Sequence, residues 1–295
     1  GTIRVATPAP FTENSGMLNY YSGTVEFECD VTIGAGGSDV PVFFGGIPDI
    51  PTAKHLSVTG QATLLTPVTL SGGTFSTGSL VNAAFLQFDG GEFNLTDANL
   101  SISLGGLFGR TLEVTAEQSI EVTNDATVDS TGLLLINGGA FSASTTTTQG
   151  EIELAGAPSG SPGLLAGDTV NNAGLLSGAG RISAELNNAA AGRVQVAFGE
   201  QLMLTGAANI NHGTIVDSGG TFLATGSMTN ESGGNISANG QATLSLSGGL
   251  DNGGTVAFSD ADAYVYGDVT NNGGGLVGLA DSSTARFVGA FVNNG

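Results

Sequence analysis

The sequence of 295 residues is poor in cations, cysteine and tryptophan. It has 6 Lys and Arg against 26 Asp and Glu, a formal charge of −20, one Cys and no Trp. Because Lys and Arg supply most of the affinity of proteins for phosphates, nucleic acid and anionic membranes are excluded as partners. A single thiol, Cys29, allows no internal disulfide, so packing and backbone pairing must stabilise the fold.

Long apolar runs are also absent. No stretch of about 18 apolar residues occurs, so we expect no membrane insertion. The first ten residues lack the cationic and apolar regions of a secretory signal, and residues 291–295 open a repeat unit, so we expect the gene product to continue beyond it. Glycine is abundant, at 49 residues, and 40% of the chain is apolar, which predicts a folded protein rather than a disordered acidic tail.

A repeat unit occupies residues 170–295. In each unit an apolar residue precedes an Asn-rich turn, and Gly and a short segment of alternating apolar residues follow. Seven asparagines mark the units, at intervals of 16, 23, 19, 22, 19 and 22 residues: Asn172, Asn188, Asn211, Asn230, Asn252, Asn271 and Asn293. A period near 20 built from short period-2 segments is too short for a propeller blade and is typical of one coil of a parallel β-helix.

The turn residues predict how such coils stack. Asn tolerates the left-handed conformation at a corner, and stacked Asn side chains can also hydrogen-bond along the axis as a ladder. We expect the Gly that follows to supply a positive φ. Residues 56–169 show the same alternation less regularly, with Gly-Gly-x-Phe recurring at 72–75, 90–93, 138–141 and 219–222.

The sequence thus predicts an all-β protein in which residues 56–295 form a parallel β-helix, or solenoid, of about a dozen coils. Residues 56–169 would form the less regular part and 170–295 the regular Asn/Gly repeats. At one strand spacing per coil, the rod would be about 55 Å long. Residues 1–55 hold five of the eight prolines and are predicted to form an N-terminal cap over the exposed end of the coils.

Within that segment, residues 25–33 alternate strictly and place five residues on one face: Val25, Phe27, Cys29, Val31 and Ile33. Cys29 is therefore interpreted as a small buried apolar residue rather than a nucleophile. As an alternative to a place in the cap, a strand at 2–5 would pair with a neighbouring molecule.

The units at 170–182 (VNNAGLLSGAGRI) and 269–277 (VTNNGGGLV) resemble the repeats of secreted bacterial β-helix proteins. These include autotransporter passengers and exopolysaccharide-associated surface proteins. The resemblance implies a right-handed β-helix that is exported and is extracellular or attached to the cell surface.

Two acidic groups are candidate calcium sites, because Ca²⁺ takes six to eight oxygen ligands. Glu26, Glu28 and Asp30 form a carboxylate row on one strand face, and a second group flanks a turn and a strand: Asp260, Asp262 and Asp268. The alternative, which we favour, is a solvated acidic face that keeps the rod soluble. No other cofactor is expected.

We interpret the chain as a non-catalytic structural or adhesive module of the cell surface or extracellular matrix. Its partners would be other copies of itself, through coil ends or edges and into filaments, or surface glycans and proteins. A polysaccharide lyase or hydrolase is the enzymatic alternative, but it needs clustered Asp beside a cation, and the cations are scattered: Arg110, Arg181, Arg193 and Arg286. A glycan-binding module is the third possibility, for which Tyr264 and Tyr266 alternate with Val265.

Overall fold

The structure, a computed structural model, describes residues 1–5, 22–34, 49–156 and 160–294. These residues form 31 strands and one 3-10 turn, Ala83–Phe85, and the described part of the chain contains no α-helix. None of its elements is a helix with the length and apolarity needed to cross a membrane.

The strands are short, and several of the longer ones bend around a corner of a coil. The first fourteen are β1 Thr2–Val5, β2 Gly23–Phe27, β3 Val31–Ile33, β4 Asp49–Pro51, β5 Lys54–Leu64, β6 Val68–Val81, β7 Leu86–Leu95, β8 Leu100–Ile102, β9 Thr111–Thr115, β10 Gln118–Val122, β11 Ala126–Val128, β12 Leu133–Asn137, β13 Ala140–Thr148 and β14 Glu151–Ala155. The others are β15 Gly163–Asn172, β16 Leu175–Gly178, β17 Gly180–Ile182, β18 Glu185–Asn188, β19 Arg193–Val196, β20 Gln201–Leu204, β21 Ala208–Asn211, β22 Thr214–Ser218, β23 Thr221–Ala224, β24 Ser227–Asn230, β25 Asn235–Leu246, β26 Leu250–Asn252, β27 Thr255–Val265, β28 Val269–Asn271, β29 Leu276–Ala280, β30 Thr284–Phe287 and β31 Phe291–Asn293.

Each coil has three faces, and each strand pairs in parallel with the equivalent strand of the next coil. In the coil formed by β19, β20 and β21, these strands define the first, second and third faces, and they pair with β22, β23 and β24 of the following coil. Because neighbouring residues in a strand point to opposite sides, every second side chain enters the core and the others point to solvent. The alternation of apolar and polar residues in the sequence therefore corresponds to side chains that point into and out of a solenoid.

One inward column on the second face shows the number of coils. From residue 56 onward it contains twelve rungs: Leu56, Phe75, Phe93, Ile120, Phe141, Leu165, Ile182, Leu204, Ala224, Leu246, Val265 and Phe287. The prediction of a parallel β-solenoid of about a dozen coils is confirmed. Its right-handed sense stays a prediction.

The recurring Gly-Gly-x-Phe segments supply the largest core side chains. Phe75, Phe93, Phe141 and Phe222 have no exposed surface. Phe75 and Phe93 lie on successive coils with ring centroids 5.8 Å apart, a favourable aromatic spacing. Phe75, Phe93 and Phe141 fill the less regular part of the rod, before the asparagine units begin, and Phe222 lies within those units.

The described strands of residues 1–55 continue the same parallel pairing between coils. Ile3 of β1 pairs with Val25 of β2, and Val25 pairs with Leu56 of β5. The Thr2–Val5 strand thus pairs within the chain. Residues 6–21 and 35–48, on which the predicted cap largely falls, lie outside the described residues, so the cap stays a prediction.

The alternation at 25–33 belongs to two strands rather than one. Val25 pairs with Leu56 on the second face, whereas Val31 pairs with Ala62 beyond a corner at 28–30. The prediction of a single uninterrupted strand is wrong, because period 2 continues across a corner and does not reveal it. Cys29 lies at this corner, partly buried and packed against the core, as its interpretation as an apolar residue requires.

A buried hydroxyl gives a testable prediction about the core. Thr146 is fully buried between Ala126 and Val170, and its Oγ1 has no hydrogen-bond partner in the described structure. Thr146→Val keeps the shape and removes the unpaired group, so we expect it to raise the free energy of unfolding by roughly 1 kcal/mol. Chemical denaturation followed by circular dichroism measures this. Thr147→Val, on the outward neighbour, is the control and should change little, and a destabilised Thr146→Val protein would contradict the prediction.

Candidate functional site

The seven marker asparagines end successive strands of the third face and form one inward ladder. Six of the seven are buried, with Asn293 exposed at the last rung. Each Nδ2 donates to Oδ1 of the asparagine on the next coil, over distances of 2.8, 2.7, 2.8, 2.8, 2.7 and 2.8 Å from Asn172 to Asn293. The ladder predicted from the spacing is confirmed, and all six bonds run in one direction along the rod.

The amide groups also bind the backbone. Nδ2 of Asn230, for example, donates to the carbonyls of Gly234 and Thr255, at 3.3 and 3.1 Å. At the start of the ladder, Oδ1 of Asn172 accepts a bond from the amide of Gly174 at 3.2 Å. The hydrogen-bonding capacity of these side chains is therefore used inside the rod, where unpaired polar groups would be costly.

The glycines after the asparagines serve a different purpose from the one predicted. Neither Gly174 nor Gly213 has a positive φ, and no marker asparagine is left-handed, so that prediction is wrong. A Cβ on Gly174 would lie 2.0 Å from the carbonyl oxygen of Gly150, and one on Gly213 would lie 2.3 Å from that of Ala189. Glycine is required at these two positions because the backbones of adjacent coils approach too closely for a side chain. At Gly253 and Gly273 the nearest atom to a Cβ would lie 3.5 and 3.8 Å away, so the same requirement does not apply there.

The first predicted acidic group is occupied by a cation of the chain itself. Nε of Arg4 lies 3.0 Å from Oε2 of Glu26 and 3.2 Å from Oε1 of Glu28. Asp30 is tied to the next coil instead, since its Oδ1 accepts a bond from the amide of Gln61 at 2.8 Å. The two glutamates share Arg4, and the aspartate caps a backbone amide.

The second acidic group is spread over three positions. Asp260 lies at a corner with φ 52°, Asp262 points outward from β27, and Oδ1 of Asp268 accepts a bond from the amide of Ala290 at 2.9 Å. Across the described ranges, no three His, Cys, Asp or Glu side chains come together as metal ligands. Calcium binding at either group stays a prediction that the structure gives no geometry for.

The four cations weighed for catalysis are distributed along the rod. Nε of Arg181 donates to Oγ1 of Thr205 at 3.3 Å, and Nε of Arg193 donates to Oε1 of Gln195 at 3.1 Å. Arg110 precedes β9, and Arg286 points outward from β30. None of the four forms an ion pair with a carboxylate that the structure describes.

Asp217 is a buried carboxylate that the sequence reading missed. It lies inside the first face between Val196 and Ala238, with no exposed surface. Its oxygens accept bonds from the amides of Gly220 and Phe222 at 2.9 and 3.2 Å, which turns the chain from β22 into β23. Burial raises the pKa of Asp217 to about 6, against the opposing effect of the two amides. In the sequence, Asp217 lies two residues after the apolar Ile215, and this spacing was the signal that its side chain points into the core.

An aromatic pair stands out on the outer surface of the second face. Tyr264 and Tyr266 flank the buried Val265, and both rings lie outside the core. The ring centroids are 6.5 Å apart and the planes differ by 15°. Tyr266 is 53% exposed. The two phenol rings therefore present a nearly parallel pair to solvent.

Comparison with known proteins gives one structural similarity. No protein-family model and no curated protein matches the sequence. Among solved structures, the chain is similar to the crystal structure of a TibA fragment hyper-glycosylated by TibC, with 17% identity over 92% of this chain and 98% of that one, and a TM-score of 0.34. At that score the two structures superpose poorly, so the description of this fold rests on its own strand pairing.

Proposed function

We propose that the chain is a non-catalytic structural and adhesive module, exported from a bacterium and held at the cell surface or in the extracellular matrix. The observation that carries the proposal is the asparagine ladder. In this ladder the marker asparagines, one in each repeat, form hydrogen bonds between coils. These repeated polar side chains therefore stabilise a rod and do not form a catalytic site.

The outer surface of the second face supports a passive role. One outward column consists largely of small polar side chains, among them Ser57, Ser76, Ser142, Ser183, Thr205, Thr225 and Ser247. Small hydroxyl side chains on a flat sheet bind water, and they lack the neighbouring general base that turns a serine into a nucleophile. The charge of −20 adds solubility and repulsion between rods.

The proposal includes self-association of the rod through coil ends or edges. A parallel strand whose backbone groups are unpaired can pair with a strand of a second copy. We propose that copies associate in this way into filaments.

A polysaccharide assay combined with microscopy tests the proposed function. Incubation of the purified chain with pectin or alginate should release no reducing ends and no unsaturated products, while a known lyase serves as the positive control. Negative-stain images of the same sample should show stiff rods, including particles longer than the roughly 55 Å expected for a dozen coils. Product release would overturn the non-catalytic proposal, and monodisperse single rods at high concentration would overturn the self-association.

A further inference from the structure

The aromatic pair lies within a mixed row of side chains on the second face. Asp262 and Tyr264 point outward from β27, and Tyr266 directly follows the end of this strand and is exposed. On the next coil, Arg286 of β30 is the register partner of Tyr264, and on the preceding coil Ser245 is. We call the set of Asp262, Tyr264, Tyr266 and Arg286 the aromatic platform.

The fold does not need these rings outside. Val265 supplies the core contact of this strand, and the position of Tyr266 is held by a serine or threonine on each of the preceding four coils: Ser183, Thr205, Thr225 and Ser247. An exposed tyrosine in such a column adds apolar surface that water must solvate. On the following coil Val288, 53% exposed, holds the position of Tyr266, so the apolar surface of the pair extends onto that coil and points to a ligand rather than to packing.

Charged groups at both sides of the rings complete the chemistry of the platform. The carboxylate of Asp262 is exposed and can accept hydrogen bonds, and the exposed guanidinium of Arg286 can donate several. Arg286 forms no ion pair within the ranges that the structure describes. The strand register thus places a donor, an acceptor and two stacked phenol rings next to one another on the outer surface of the second face.

We propose that the aromatic platform binds a neutral glycan. This deepens the adhesive part of the proposed function and rests on it. The C–H face of a pyranose ring is apolar and packs against an aromatic face, while its hydroxyls both donate and accept hydrogen bonds, which matches Asp262 and Arg286. A polyanionic glycan is disfavoured by the charge of −20, and a platform of four side chains is too small for a stable protein interface, which buries on the order of 1,000 Å² or more.

Affinity electrophoresis of the whole chain tests this proposal. Gels containing dextran, β-glucan, xylan or galactomannan are the neutral arm, and gels containing alginate are the anionic arm. We expect at least one neutral glycan to retard the protein and alginate not to. Tyrosine fluorescence provides a second readout, because the chain has no Trp and four Tyr, two of them in the platform.

Variants assign the binding to the rings. Tyr264→Ala and Tyr266→Ala should each weaken binding about tenfold, as loss of one central aromatic contact does, while Tyr266→Phe keeps it. Phe198→Ser is the matched control, because Phe198 is 80% exposed on a different part of the coil and should be dispensable. Circular dichroism confirms that each variant is folded.

The results separate this proposal from the function on which it rests. Absence of retardation by the whole neutral panel, retardation by alginate alone, or binding that survives both Tyr→Ala variants overturns the platform while leaving the rod intact. Release of cleaved glycan would overturn the non-catalytic function even if binding depends on the tyrosines.

Discussion

Asn188→Ala is expected to lower the free energy of unfolding by roughly 3 kcal/mol, because it interrupts the ladder at its second rung. Asn188 accepts a bond from Nδ2 of Asn172 at 2.8 Å and donates to Oδ1 of Asn211 at 2.7 Å. It also donates to two backbone carbonyls, both at 3.3 Å. Alanine leaves the buried Oδ1 of Asn211 without its donor, and the loss of solvation for that group is then uncompensated.

The adjacent residue provides a matched control. Asn187 lies on the same strand but points outward, where its Nδ2 donates to Oδ1 of Asn171 at 3.0 Å in contact with solvent. Asn187→Ala should therefore cost less than about 1 kcal/mol. Urea denaturation of the two variants gives both values. Equal losses would show that the ladder is a consequence of the fold and contributes little to its stability.

Hydrogen exchange locates the effect along the rod. Coils of a solenoid contact only their neighbours, so weakening one interface should reduce amide protection on both sides of it. We expect faster exchange in the coils around residues 172–211 of Asn188→Ala and unchanged exchange near residues 75–93. A uniform loss of protection along the chain would indicate that the rod unfolds as one unit.

The repeat spacing predicted the fold and the ladder because both depend on one recurring position. The seven asparagines share an inward column, so their intervals in the sequence are the lengths of successive coils. Those intervals vary from 16 to 23 residues because the corners differ in length while the strands stay in register. Stacking requires the equivalent residues to align in space and leaves the corners free to vary.

Contacts between coils were not predictable from the sequence in the same way. Arg4 and Glu26 are 22 residues apart and meet only because β1 and β2 pair in one register, which the intervening residues do not reveal. The corner at 28–30 was missed because alternation persists through it, and Gly174 was misread because a close approach between coils looks like a turn in the sequence. The aromatic pair was visible as alternation, but its outward position needed Val265 to be placed in the core.

Asp217 makes stability depend on pH in a direction opposite to that of most carboxylates. Its pKa is raised from 3.8 to about 6 by burial, so folding stabilises the protonated form. The contribution of Asp217 is thus fully present below pH 3.8 and is lost as the pH rises through about 6. The difference between the two pKa values corresponds to roughly 3 kcal/mol. This is the free energy of unfolding that the protein loses at pH 8 because the buried carboxylate is charged.

Asp217→Asn should remove this dependence, since an amide is neutral at every pH and resembles the protonated acid in shape, with one carbonyl oxygen that accepts a hydrogen bond and one group that donates. Between pH 4 and 8 the unmodified protein is expected to lose roughly 2 kcal/mol of stability relative to Asp217→Asn, measured by urea denaturation at each pH. The repulsion that grows as the other carboxylates ionise is common to both proteins and cancels in the difference. Glu121→Gln, at an exposed position of β10, is the control and should follow the unmodified protein. Parallel stability curves for Asp217→Asn and the unmodified protein would mean that the two amide bonds from Gly220 and Phe222 offset the cost of burying the charge.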